Sequence, residues 1–183
     1  MTLLDEIEQV RVTADCLYAQ HQVEAALDTL AAAINQQLTD LNPLVLSVLN
    51  GGIITTGHLL TRLTMPLTLD SVMVSRYHNQ TTGQDNLTWK VEPGTPLAGR
   101  TVLVVDDILD HGITLHAVVD YCRQHGAQAV FSAVLVEKQL AQSKPIQADF
   151  VGLATDDRYL FGYGLDYKGY LRNMPGIYAC VNL

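Results

Sequence analysis

Residues 101–115, TVLVVDDILDHGITL, constrain the fold of this chain more than any other stretch. Its first five residues are apolar or β-branched, the pattern of a strand buried on both faces. Two carboxylates, Asp106 and Asp107, follow at once, and a short loop with Asp110 and Gly112 leads to Thr114 at the start of an amphipathic segment. There Leu115, Val118, Val119 and Cys122 share one helical face, and Gly126 supplies a C-terminal cap. A buried strand that passes through an acidic turn into a helix is the unit of an open α/β sheet. In such sheets ligands bind beyond the carboxyl ends of the strands.

The same alternation recurs along the chain. Val23, Leu27, Leu30, Ile34 and Leu38 recur at spacings of three and four and predict one helix over 14–38, which Pro43 stops. Residues 44–49 form a short apolar run ending in Asn50-Gly51-Gly52, a buried strand that meets a tight loop. Helical spacing resumes over 53–63, and 67–76 reads as a strand. The run HNQTTGQDN at 78–86 holds no aliphatic or aromatic anchor and reads as a surface loop or hairpin tip. Strands follow at 87–91 and 130–136, with a turn over 92–100. The expected fold class is α/β, a mainly parallel twisted sheet with helices on both faces and right-handed crossovers. From residue 149 aromatics and glycines multiply, which predicts short strands and loops packed at one end of the sheet.

Composition limits the function classes. With 183 residues, 48% hydrophobic and 16% charged, the chain can bury the core of one domain spanning 1–183. A formal net charge of -8 argues against sequence-independent nucleic-acid binding, which needs clustered Lys and Arg. No run approaches the roughly 18 apolar residues of a membrane span, and residues 1–11 lack the basic start of a secretory signal. Cys16, Cys122 and Cys180 form no CxxC pair and read as buried apolar fillers in a reducing compartment. A cytoplasmic protein is expected. Neither GxGxxG after a strand nor GxxxxGK[ST] is present, against dinucleotide and ATPase readings.

The acidic turn has the parts of a sugar-phosphate site. Backbone N–H groups of a glycine-containing loop at a helix start form an anion nest. Thr114 adds a hydroxyl donor, and Asp106 and Asp107 can accept ribose hydroxyls directly or through a hard cation. Asp110 is left to face a reacting centre. The bland alternative is a solvated turn in which Asp110 merely caps the helix.

VLVVDDILDHGITL resembles the phosphoribosyl pyrophosphate motif of type I phosphoribosyltransferases. LNGGI at 49–53 resembles the pyrophosphate loop of that family, and SRYHNQTTG at 75–83 resembles the lid of its hypoxanthine-guanine branch. ADFVGLATDDRYLFGYGLDYKGYLRNMPGIYAC at 148–180 is similar to the purine-binding tail of that branch, and the matches run in the same order along the chain. The resemblance implies a core at about 14–147, a tail at about 148–183 and a small hood formed partly by that tail. It also implies purine salvage, in which the 5-phosphoribosyl group passes from phosphoribosyl pyrophosphate to hypoxanthine or guanine, with Mg²⁺ as cofactor and a homodimer or homotetramer as the assembly.

Residue by residue, the resemblance assigns the ribose hydroxyls to Asp106 and Asp107 and the 5-phosphate to Asp110, His111, Gly112, Ile113 and Thr114. Asp110 would also be the general acid/base at the purine imidazole nitrogen. Leu49, Asn50, Gly51 and Arg172 would meet pyrophosphate. Lys138 would donate to the 6-oxo group, Tyr159 would stack on the base, and Leu160 and Asp166 would serve its edge. Asp106, Asp107 and Asp166 would hold metal, and Arg76 and Tyr77 would belong to the lid. Three positions depart from the pattern. Asn50 stands where a lysine is common, Asp106 where Glu is usual, and His111 where a small hydroxyl residue is typical. Two alternatives stay open: a ligand-sensing regulator on the same fold, and a xanthine-preferring enzyme.

Overall fold

The computed structural model describes residues 1–78 and 85–181, with the side chains of 76–86 left aside. Six strands form the main sheet in the order β4-β3-β2-β5-β6-β7. They are β2 (Leu44–Leu49), β3 (Thr68–His78), β4 (Asp85–Val91), β5 (Thr101–Leu109), β6 (Ala129–Gln139) and β7 (Phe150–Asp156). All neighbours run parallel except β3 and β4, which pair antiparallel. The mainly parallel sheet expected from sequence is therefore present.

Alternation along the strands sends side chains to two cores. Val45, Leu103, Val105, Ala133 and Leu135 pack with Val23, Leu27, Leu30, Ile34 and Leu38 of helix α2 (Gln20–Leu38) and Leu59 of α3 (Gly52–Leu60). Leu44, Leu46, Val48, Val102, Val104 and Val134 face the other way, onto Leu115, Val118, Val119 and Cys122 of α4 (Ile113–Gln124). Burying each such side chain stabilises the fold by about 1.5–3 kcal/mol. Helices cover both faces, so strands apolar on both sides are required.

The N-terminal region differs from the expected single helix over 14–38. A separate helix α1 (Leu3–Thr13) begins with a capping box between Thr2 and Asp5. Ala14 is extended and ends it, and β1 (Asp15–Tyr18) intervenes before α2. The cause is tertiary: β1 pairs antiparallel with β9 (Ile177–Ala179), which pairs with β8 (Leu160–Phe161) in a separate three-stranded sheet. Cys16 lies on β1 and is exposed, so of the three cysteines only Cys122 and Cys180 are buried fillers.

The tail also divides. β7 belongs to the main sheet, and the short strands packed at one end start only after it. These strands and the turns around them are termed the hood below, and α1 lies against it, with Ile7 packed beside Phe161, Tyr167, Leu171 and Cys180. Glu6 of α1 accepts hydrogen bonds from the Tyr167 hydroxyl and Lys168 ammonium, each at 2.6 Å. Of the segment read as a lid, 79–84 and the side chains of Arg76 and Tyr77 lie outside the described residues.

Candidate active site

The carboxyl ends of β2, β5 and β6 and the hood enclose a cavity of about 430 Å³. It gathers every sequence-predicted site residue whose side chain is described: Leu49, Asn50 and Gly51 from the β2–α3 turn; Asp106, Asp107, Asp110, His111, Gly112, Ile113 and Thr114 from β5 and the turn after it; Lys138 from β6; and Tyr159, Leu160, Asp166 and Arg172 from the hood.

The acidic pair sits inside β5, not beyond it, because the ladder to β6 continues past Val105, with Asp106 opposite Val134 and Leu109 opposite Glu137. Both carboxylates are buried, each 7% exposed, and Asp106 Oδ1 accepts the Asp107 N–H at 2.9 Å. Burial, and then the neighbouring Asp107, push the Asp106 carboxyl well above the usual carboxylate range. Burial also raises Asp107, an effect that the hydrogen bond with Asp106 and the nearby Arg172 charge oppose. Two buried carboxylates side by side are costly unless a cation or hydroxyl donors arrive.

Gly51 lies directly on this pair. A methyl carbon there would fall 1.9 Å from Asp107 Oδ2, and one at Gly52 would fall 2.8 Å from the Val105 carbonyl oxygen. Only glycine lets the loop settle onto β5. The peptide bond between Leu49 and Asn50 is cis.

The following turn has the geometry of an anion nest. Gly112 takes φ +80 at the N-cap of α4, and the first intrahelical bond runs from the His116 N–H to its carbonyl at 2.9 Å. The N–H groups of the first helical turn therefore have no intrahelical partner and point at the cavity with the positive end of the helix dipole. Asp110 stands at the rim. Its Oδ2 is 3.4 Å from Lys138 Nζ, while its Oδ1, itself buried, has no hydrogen-bond partner among the described residues. His111 is largely exposed, with Nε2 4.0 Å from that free oxygen. Lys138, expected just past its strand, lies within β6 and is also 3.3 Å from Asp157 Oδ1. Asp157 is a charged neighbour that the sequence reading missed; it stands in the DDRYLFGYG run, but its pairing depends on how the tail folds back.

The hood supplies the opposite wall. Tyr159 is 44% exposed at the cavity mouth and meets Tyr167 edge to face, with ring centroids 5.4 Å apart. The Arg172 guanidinium donates to the Gly164 carbonyl and pairs with Asp166 Oδ1, whose other oxygen accepts the Gly169 N–H at 2.6 Å. Arg172 thereby lines the cavity close enough for its charge to act on Asp107. The oxygen-only donors Asp106 and Asp107 suit a hard divalent cation, but among the described residues no three His, Cys, Asp or Glu side chains converge to hold a metal unaided. Such a donor set fits Mg²⁺, which keeps water and substrate oxygens in its shell.

A mainly parallel sheet with an acid-flanked anion nest at its carboxyl edge is an arrangement in which α/β proteins hold phosphorylated ligands. The sequence pattern of the phosphoribosyl transferase domain family matches residues 13–168. A hypoxanthine-guanine phosphoribosyltransferase of Bacillus subtilis (strain 168) is 30% identical over 161 residues, covering 88% of this chain and 89% of its own length. A hypoxanthine-guanine-xanthine phosphoribosyltransferase of Tritrichomonas foetus is 30% identical over 176 residues, covering 96% and 92%. The crystal structure of a hypoxanthine-guanine phosphoribosyltransferase of Bacillus anthracis, with HEPES in its active site, matches with a TM-score of 0.85 at 28% identity, covering 91% of this chain and 98% of that one. The chain belongs to the phosphoribosyl transferase domain family, in the hypoxanthine-guanine branch of its type I members.

Proposed function

We propose that this protein is a purine-salvage hypoxanthine-guanine phosphoribosyltransferase that converts phosphoribosyl pyrophosphate and hypoxanthine or guanine to IMP or GMP and pyrophosphate. The observation that carries the reading is the convergence of the acidic pair, the anion nest, Asp110, Lys138 and Tyr159 on one cavity.

The roles are those the family resemblance implies, and the gathering of these residues on one cavity supports them. The amides of the α4 first turn and Thr114 bind the 5-phosphate, with His111 at its edge, while Asp106 and Asp107 accept the ribose hydroxyls. Tyr159 stacks on the flat base, the Leu160 backbone meets its edge, and Lys138 donates to the 6-oxo oxygen. Gly51 amide and Arg172 face the pyrophosphate side, where Asn50 offers an amide in place of a lysine. Asp106 and Asp107, with lone pairs left on Asp166, would hold Mg²⁺, whose chemistry here is to neutralise charge on the pyrophosphate. The bond from the anomeric carbon to pyrophosphate breaks as the imidazole nitrogen bonds to that carbon. The free Asp110 oxygen takes the proton that the ring gives up.

The same reading places the enzyme in the cytoplasm as a homodimer or homotetramer. Among the described residues no helix is long and apolar enough to cross a membrane.

Pyrophosphate release with phosphoribosyl pyrophosphate, Mg²⁺ and each of hypoxanthine, guanine, xanthine and adenine tests the proposal. Turnover is expected with hypoxanthine or guanine and not with adenine, whose amino group cannot accept from Lys138. Asp110→Asn should lower kcat by about 100-fold or more, in line with general-base catalysis. Full activity in that variant refutes the acid/base role of Asp110, and turnover confined to adenine, or none with any of the four bases, refutes the function.

A further inference from the structure

Lys144 lies in the connection between β6 and β7, outside the cavity lining, yet its side chain is only 10% exposed. Its ammonium group donates to the Leu109 carbonyl at 3.2 Å, to Glu137 Oε1 at 3.0 Å and to the Lys138 carbonyl at 2.6 Å. All three of its protons are used. A lysine held by two backbone carbonyls and a carboxylate is a cross-brace, not a solvated surface charge.

The location of the brace gives it meaning. Leu109 opposite Glu137 is the final rung of the β5–β6 ladder. Beyond that rung the strands carry Asp110 and Lys138, whose charged atoms lie 3.4 Å apart with no ladder hydrogen bond between their backbones. Lys144 spans this point. The residues after it extend the support, since Pro145 Cδ and Ile146 Cγ2 each lie 3.3 Å from where a Gly112 methyl carbon would be. One short segment thus backs both the acid/base position and the glycine of the anion nest.

We infer that Lys144 is a positioning residue for the transfer reaction: it ties the carboxyl ends of β5 and β6 together and so fixes Asp110 against Lys138. This inference rests on the acid/base reading of Asp110 given above. Small displacements of a reacting group cost on the order of 100-fold in rate, so Lys144→Met should lower kcat by about that factor. Melting measured by circular dichroism reports whether the variant remains folded at the assay temperature.

A cycle with Asp110→Asn separates the possibilities. If Lys144 acts through Asp110, adding Lys144→Met to Asp110→Asn lowers kcat by less than about 3-fold more. A folded Lys144→Met enzyme with kcat within 2-fold of wild type overturns the inference, as do losses that multiply in the double variant. If Asp110→Asn itself keeps full turnover, the acid/base reading fails and takes this inference with it. If Asp110→Asn is slow while Lys144→Met is not, the positioning role fails alone. Should Lys144→Met not fold, Glu137→Gln keeps the shape and removes one charged acceptor. It should lower kcat several-fold, and an unchanged kcat overturns the inference equally.

Discussion

Gly51→Ala plants a methyl carbon 1.9 Å from Oδ2 and 2.4 Å from Cγ of Asp107, far inside contact distance. Gly51 already has right-handed helical torsions, φ -58 and ψ -50, so alanine brings no backbone strain and the effect is steric alone. Either the β2–α3 turn lifts or the Asp107 carboxylate swings away from the acidic pair. Overpacking of this kind costs about 1–3 kcal/mol, a fall in Tm of about 2–12 °C for a chain of this size. On the role proposed for it, a displaced Asp107 forfeits a charged hydrogen bond to the sugar donor, worth about 1.5–3 kcal/mol, so KM for phosphoribosyl pyrophosphate should rise about 10- to 150-fold. Gly57→Ala is the control, since a methyl carbon there meets nothing within 4 Å in the middle of α3. It should stabilise by about 0.5–1 kcal/mol and leave KM unchanged. Calorimetry and initial-rate assays on the two variants decide the matter. A Gly51→Ala enzyme with wild-type Tm and KM would show that the glycine is not needed for the close approach of loop to acid.

Asp106→Asn should melt higher than wild type at pH 8 while losing donor binding by calorimetric titration. The carboxyl is raised by burial and then by Asp107, so its favourable contribution is complete below about pH 4 and lost as pH rises through the higher folded value. The gap in Tm should therefore close toward pH 4, and a variant less stable than wild type at pH 8 contradicts this. Glu6→Gln acts at the opposite sign. The Lys168 and then the Tyr167 hydrogen bonds hold the Glu6 carboxyl below its usual range, so its stabilisation is present above about pH 4.5 and lost as pH falls through the lower folded value. Tm against pH should be flatter in the variant between about pH 5 and 3; an identical acid limb contradicts the role of the contact.

Segments whose hydrophobic pattern reports local structure are legible in the sequence. Leu44–Leu49 is a strand in both readings, because a run apolar on both faces has few other homes, and the helix after Gly112 is marked by its spacing and glycines. Strand ends are less legible. β5 and β6 run on into Asp106, Asp107 and Lys138 because the backbone ladder follows the neighbouring strand and ignores side-chain polarity. The hood is least legible of all. Residues 15–18 carry no signal against continuing a helix, and only pairing with β9 makes them a strand. Family resemblance pointed to candidate site residues of the tail that periodicity cannot supply, since Tyr159, Asp166 and Arg172 lie outside the strands and helices. Lys144 and Asp157 escaped both kinds of reading, as their partners are visible only once β6, β7 and the hood are in place.

The pairing of β1 with β9 also sets an order of assembly. Four of the five pairings described in the large sheet join consecutive strands, β2 with β5 being the exception, whereas the small sheet must recruit segments from either side of the whole large sheet. Long loops close slowly. During refolding, the large sheet should thus be finished before the small one, and enzyme activity should return later than the helical signal.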